Sequence, residues 1–234
     1  MRFDGTFTDG WMRRFAASAS ATEAELTALD QQAGDGDFGV NLTTGLDATV
    51  RALNGAPTGS LAAAQQPLQA AATTFLDEVG GTSGPLFGLL LEELALAAAD
   101  AGTALTVPAL AAGAGGGLSV IQRIGEAAPG DKTLIDALAP ACDALNSRGT
   151  DADVRTALAA AAGAAWDGVR NTAQLRARRG RASYLGERAT GVADPGAVGI
   201  GLLFASAGET VTALAPFLTC LPVSLPGTET RPPP

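Results

Sequence analysis

The chain has 234 residues, enough for one large domain or two small ones, and 47% of them are apolar with few aromatics. Its formal net charge of −9 argues against general affinity for nucleic acid or anionic membranes, both of which call for a basic surface. It contains no histidine, which excludes Ser-His-Asp hydrolysis and histidine-based zinc chemistry.

Alanine and leucine dominate and β-branched runs are scarce, so the composition predicts an all-α fold with small side chains at the helix contacts. In chain order, a first helix is predicted over 8–20. Thr22-x-x-Glu25 has the form of a capping box that opens a second, ending near Asp30. A third runs over 39–54, before the breaker-rich loop Asn54-Gly-Ala-Pro-Thr-Gly-Ser60. Pro67 suits the first turn of a helix reaching Val79, and the turn Gly80-Gly81-Thr82-Ser83-Gly84-Pro85 feeds the apolar run from Leu86 to Ala99. Further helices are predicted over 107–127, 132–147, 152–178 and 195–217, about eight main helices in all.

Gly113 and Gly115-Gly116-Gly117 fall inside one helix, where each glycine costs about 1 kcal/mol relative to alanine. Close contact between helices explains them better than a dinucleotide fingerprint, since no β-rich segment precedes them. Cys142 and Cys220 are isolated and read as small buried apolar residues. The first ten residues hold no apolar leader, and Glu92, Glu93 and Glu209 interrupt the most apolar windows, so a cytoplasmic chain without a membrane span is expected. Residues 1–220 are expected to form one domain and 221–234, ending in three prolines, a flexible tail.

Four polar, glycine-containing loops interrupt this apolar chain. Asp30-Gln-Gln-Ala-Gly-Asp35-Gly-Asp37 gathers three carboxylates within eight residues, a donor set suited to hard cations such as Mg²⁺ or Ca²⁺; taken alone, it reads equally as an ordinary polar turn. An EF-hand is disfavoured, because Phe38-Gly39-Val40-Asn41 follows where further ligands belong. Gly81-Thr82-Ser83-Gly84 at a helix start offers backbone N–H groups and hydroxyls to an anion, or is a plain N-cap. Pro129-Gly130-Asp131-Lys132-Thr133 reads as a turn and N-cap, with Lys132 facing solvent. Arg176, Arg178, Arg179 and Arg181 form a basic cluster in an acidic chain, and Asp194-Pro195-Gly196 is a helix opening. If the helices run up and down, loops an even number of helices apart share one end and converge.

Together the motifs Gly34-Asp35-Gly36-Asp37-x-Gly-x-Asn41, Gly80-Gly81-x-Ser83-Gly84-Pro85-Leu86-Phe87-Gly88, Pro129 to Thr133, and Gly180-Arg181-Ala-Ser-Tyr184-Leu-Gly-Glu187-Arg188 with Asp194-Pro195-Gly196 resemble the nucleotide-binding L subunit of dihydroxyacetone kinases. The resemblance implies a closed barrel of eight antiparallel amphipathic helices, with a nucleotide (ATP or ADP) and two Mg²⁺ ions at one end. It implies Asp30, Asp35 and Asp37 as metal ligands, and Phe38, Gly39, Val40, Asn41, Thr82, Ser83, Gly125, Leu134, Arg181, Asp194, Pro195 and Gly196 around the nucleotide. ATP brings roughly four negative charges to the three aspartates, which two divalent ions and an arginine would largely offset.

One position departs from the family: Phe38 stands where histidine is usual, which loses a hydrogen bond near the phosphates and is compatible with another short ketose as acceptor. Phe38 is then expected to pack against the ligand or a neighbouring helix. The implied function is that of the phosphoryl-donor subunit of a dihydroxyacetone-type kinase, working with a K-type subunit that holds the sugar. The donor is either exchangeable ATP or a resident ADP recharged by a phosphotransferase-system phosphocarrier. The rival reading is an ADP-sensing protein that binds a transcription regulator without transferring phosphate.

Overall fold

A computed structural model of the protein describes residues 2–57, 59, 61–150, 152–180, 182–185 and 189–219. Among the described residues the regular structure is entirely helical: eight main helices, α1 (Gly5–Ala33), α2 (Phe38–Gly55), α3 (Gln65–Glu78), α4 (Ser83–Asp100), α5 (Val107–Gly125), α6 (Ile135–Asn146), α7 (Val154–Thr172) and α9 (Pro195–Ala205), and two single turns, α8 (Ala182–Leu185) and α10 (Ala215–Leu218). Cys220 and the expected tail lie outside the described residues. None of the helices is long and apolar enough to cross a membrane.

The helices pack in chain order, each main helix against the next, and α9 returns the series to α1. Apolar residues at i, i+3 and i+4 explain the inward faces: on α1, Trp11, Phe15, Ala19 and Leu26 are all fully buried. The exception is α9, whose residues from Ala197 to Phe204 are all buried. It is apolar on every side and touches α2 and α6 as well as its two neighbours. Trp11 Nε1 donates to the Leu203 carbonyl at 2.7 Å, which joins α1 to α9 across nearly the whole chain.

Three helix boundaries differ from expectation by more than a few residues. The capping box at Thr22 does not open a helix: α1 runs unbroken for 29 residues, and the buried Thr22 hydroxyl donates to the Ser18 carbonyl instead. From Ala16 to Ala33 the chain offers no glycine or proline to stop the first helix, so propagation outweighs the local cap. The last long helix ends at Ala205 and does not continue to 217. Arg14 takes the Ser206 and Ala207 carbonyls, both at 2.8 Å, at that helix end. The following segment lies along α1, with Val211 N–H donating to Ser18 Oγ and Leu214 N–H to the Glu25 carboxylate. α7 likewise stops at Thr172, short of 178.

Gly113 and Gly117 of α5 serve helix contact, as expected, and Gly115 does not. A Cβ at Gly113 would lie 2.7 Å from Cα of Leu94, and one at Gly117 would lie 2.5 Å from a Leu90 methyl, whereas a Cβ at Gly115 would meet nothing within 4 Å. Gly113→Ala is therefore expected to destabilise the protein by about 1–3 kcal/mol despite alanine's better propensity, because a backbone atom must move. Gly115→Ala should stabilise by about 0.5–1 kcal/mol. Urea unfolding of the two variants checks this, and shifts of the same sign would contradict it.

Candidate functional site

Consecutive helices joined by short loops alternate in direction, so every second connection falls at the same end. The connections after α1, α3, α5 and α7 all contribute to one cleft. It is lined by Asp30, Asp35, Asp37, Phe38, Asn41, Thr82, Ser83, Leu134, Asp194, Pro195 and Gly196, with Gly34, Gly81, Lys132, Thr133, Arg179, Gly180 and Ala182 beside them. The alternate connections form the other end, where Gly5 N–H donates to Ala62, Ala64 N–H to Thr103 and Leu105 N–H to Phe3.

The acidic loop begins in the last turn of α1. Asp30 is buried, and its Oδ2 accepts the Phe38 N–H at 3.0 Å, so one carboxylate both ends the loop and starts α2. A Cβ at Gly34 would lie 2.2 Å from Asp30 Oδ1, so a side chain there would displace the carboxylate. Gly36 takes φ +82°, the left-handed conformation that brings Asp35 and Asp37 round. Asp30, Asp35 and Asp37 each place a carboxylate oxygen within 4.8 Å of the others, with Asp30 buried and the other two exposed. Three converging hard oxygen donors fit Mg²⁺, which takes a few carboxylates and leaves positions for water and phosphate.

Two of the helix starts at the cleft differ in how they are capped. α4 begins at Ser83 with no side-chain cap, which leaves its first N–H groups to a ligand. α9 is capped by Asp194, whose carboxylate accepts the Ala197 N–H at 2.8 Å, while the Asp194 N–H donates to Thr172 Oγ1 at 2.8 Å. Gly196 sits against Leu134: a Cβ there would lie 3.3 Å from that of Leu134.

Lys132 does not face solvent. It is 1% exposed at φ +61°, and its ammonium donates to the carbonyls of Thr172 at 2.6 Å and Val192 at 2.5 Å. The loop folds inward because Asp136 takes the N–H groups of Gly130 and Thr133, and Asp131 takes that of Ala128. Thr133-x-x-Asp136 is a capping pattern that points to this arrangement, and sequence reading missed it. Arg179 reaches the cleft with Asp131 and Glu126 at 3.9 and 3.6 Å, while Arg178 pairs with Asp131 at 3.7 Å.

Not every expected site residue lines the cleft. Phe38 lines the cleft and also packs on Phe87, with ring centroids 6.2 Å apart, which gives it the expected contact to a neighbouring helix. Gly39 is buried where a Cβ would lie 2.5 Å from Thr27 Oγ1, on the α1 side of α2. Val40 is half exposed, and Gly125 ends α5; neither lines the cleft. Arg181 lies outside the described residues.

Burial pushes the Asp194 carboxyl up to about 7, with Asp136 and Asp30 adding to the rise and the Ala197 N–H and Lys132 opposing it. An unfolded aspartate titrates near 3.9. Between about pH 4 and about pH 7 the folded state thus keeps a proton that the unfolded state has released, and this group's contribution to stability falls as pH rises. In metal-free protein, the stability of wild type minus that of Asp194→Asn is expected to decrease over that window. Urea unfolding at several pH values measures it, and a difference that does not vary with pH would contradict it.

The DAK2 domain family model matches residues 32–209. The chain is 36% identical over 191 residues to the ADP-binding subunit DhaL of the PEP-dependent dihydroxyacetone kinase of Escherichia coli, covering 81% of this chain and 89% of that one. It is 36% identical over 204 residues to L-erythrulose 1-kinase of Mycolicibacterium smegmatis, covering 86% of this chain and 35% of that one. It thus spans about a third of the length of the erythrulose kinases it matches. Among solved structures it is similar to the dihydroxyacetone kinase from C. freundii in complex with AMP-PNP and Mg²⁺, with a TM-score of 0.64 and 25% identity over 88% of this chain and 34% of that one. With the family model covering most of its helices, the chain belongs to the DAK2 domain family.

Proposed function

We propose that this chain is the nucleotide-holding, phosphoryl-donating part of a kinase for dihydroxyacetone or a related short ketose such as erythrulose. The observation that carries the reading is the convergence of Asp30, Asp35 and Asp37 with the starts of α4 and α9 in one cleft. The names of the relatives support the substrate class: dihydroxyacetone for the DhaL subunits, erythrulose for the longer kinases.

In this reading the three aspartates would hold two Mg²⁺ ions. Bound there, Mg²⁺ supplies positive charge that screens the transferring phosphoryl group. The chain's own residues do the rest. Asp30, fixed by the Phe38 N–H, sets the depth of the metal loop. The uncapped α4 start and the hydroxyls of Thr82 and Ser83 take phosphate oxygens. Asn41, Leu134 and Asp194 to Gly196 form the walls, and Arg181 supplies a cation beside the phosphates. The reading places the domain at residues 1–220 in the cytoplasm, where the nucleotide is, and leaves 221–234 outside it.

The acceptor sugar is held by a K-type partner, since this chain contains no histidine to bind a ketose covalently. A phosphotransferase-system phosphocarrier is the donor if ADP stays bound, and ATP is the donor if nucleotide exchanges. The regulatory reading, an ADP sensor that binds a transcription regulator, shares the nucleotide site and differs only in transferring nothing.

Asp35→Asn is expected to abolish tight Mg-ADP binding while the far-ultraviolet circular dichroism stays that of the wild type. Calorimetry that finds unchanged affinity would defeat the metal assignment. The isolated chain should show no kinase activity on dihydroxyacetone or erythrulose, and activity should appear when a K-type subunit is added. Turnover by the chain alone would contradict the division of labour, and binding without any transfer would favour the sensor.

A further inference from the structure

Lys132 lies where a hydrophobic residue would be less costly. Its ammonium is buried, which sacrifices hydration, and its backbone holds the left-handed conformation that a side-chain-bearing residue resists. A buried charge is weak evidence for stability, and strained backbone concentrates at functional sites. Both costs fall on one residue in the wall of the cleft.

Its two hydrogen bonds connect three segments. Lys132 itself belongs to the loop before α6. The Thr172 carbonyl ends α7, and the Val192 carbonyl precedes the Asp194 cap of α9. Thr172 meets the same segment a second time, because its Oγ1 accepts the Asp194 N–H. In this brace lysine holds 192 and threonine 194, beside the Gly191 N–H that donates to the Ala173 carbonyl at 2.8 Å, on the segment that delivers the α9 start to the cleft. The neighbouring Asp131 carbonyl accepts the Arg178 N–H at 3.0 Å, which ties the basic segment to the same loop.

We infer that Lys132 is a positioning residue for the nucleotide phosphates: together with Thr172 it fixes the Asp194–Gly196 helix start against Leu134, and it keeps a positive charge behind that wall. The inference rests on the proposed function, since it assigns the cleft to a nucleotide. It gives Lys132 a role through the α9 start, not contact with the reacting atoms. A methionine of similar length fills the space but makes neither carbonyl bond, so the segment from 191 to 194 loses one of its three ties.

The test measures Mg-ADP affinity by calorimetry, well below the melting temperature, for wild type, Lys132→Met and Thr172→Val. Mn²⁺ binding without nucleotide, read by electron paramagnetic resonance, reports separately on the three aspartates. Leu145→Ala, a core truncation at the opposite end of α6, serves as a control for lost stability alone. The expected result is a tenfold or greater weakening of Mg-ADP binding in both brace variants, with Mn²⁺ affinity kept and with Leu145→Ala near wild type. Unchanged affinity in the brace variants, or an equal loss in Leu145→Ala, would overturn the inference. If Lys132→Met does not fold, Thr172→Val decides alone, since it leaves the lysine's carbonyl acceptors in place. Failure of the wild-type protein to bind Mg-ADP would instead defeat the proposed function.

Discussion

The constraint on which the rest depends is that an apolar core lined by up-and-down helices expels polar backbone to its two ends. Each helix leaves unpaired N–H groups at its start and carbonyls at its finish, and these must meet side chains, water or ligand. At one end of this molecule the chain satisfies itself with backbone bonds between Phe3, Gly5, Ala62, Ala64, Thr103 and Leu105. At the other end carboxylates, hydroxyls and uncapped helix starts face a cleft.

Much of the fold was legible. Most helices fall within a few residues of the positions that periodicity and breakers predict, and Gly113 and Gly117 of α5 pack as close contacts. The boundaries that differ have different causes. At Thr22 a capping pattern sits in the middle of strong helix formers, and at Ser206 an arginine 192 residues away takes the terminal carbonyls. Local signals announce where a helix is able to begin or end; propagation in one case and a distant partner in the other decide whether it does.

The cleft was legible as a set of loops and less so as a set of contacts. Aspartates spaced by glycines carry their chemistry in their type, so Asp30, Asp35 and Asp37 stand out in the bare sequence. Lys132 does not, because a lysine in a turn is ordinarily solvated and nothing next to it reveals the carbonyls of Thr172 and Val192. Phe38 shows the converse: the side chain serves the core while its N–H serves Asp30, a division that residue type alone conceals.

The seam between α1 and α9 has a consequence for how the molecule assembles. From α1 to α7 each main helix meets its successor across a loop of about ten residues or fewer, contacts that close quickly after each is made. Trp11 and Ser18 find their partners, the Leu203 carbonyl and the hydroxyl of Ser206, only after almost the entire chain exists. During synthesis the first helix therefore waits with its indole N–H unpaired and its apolar stripe incompletely covered. The last long helix, apolar on all sides, has nowhere to reside until that stripe receives it. Completion of the core and delivery of Asp194 to the cleft are thus a single late event, and the site forms when the fold closes.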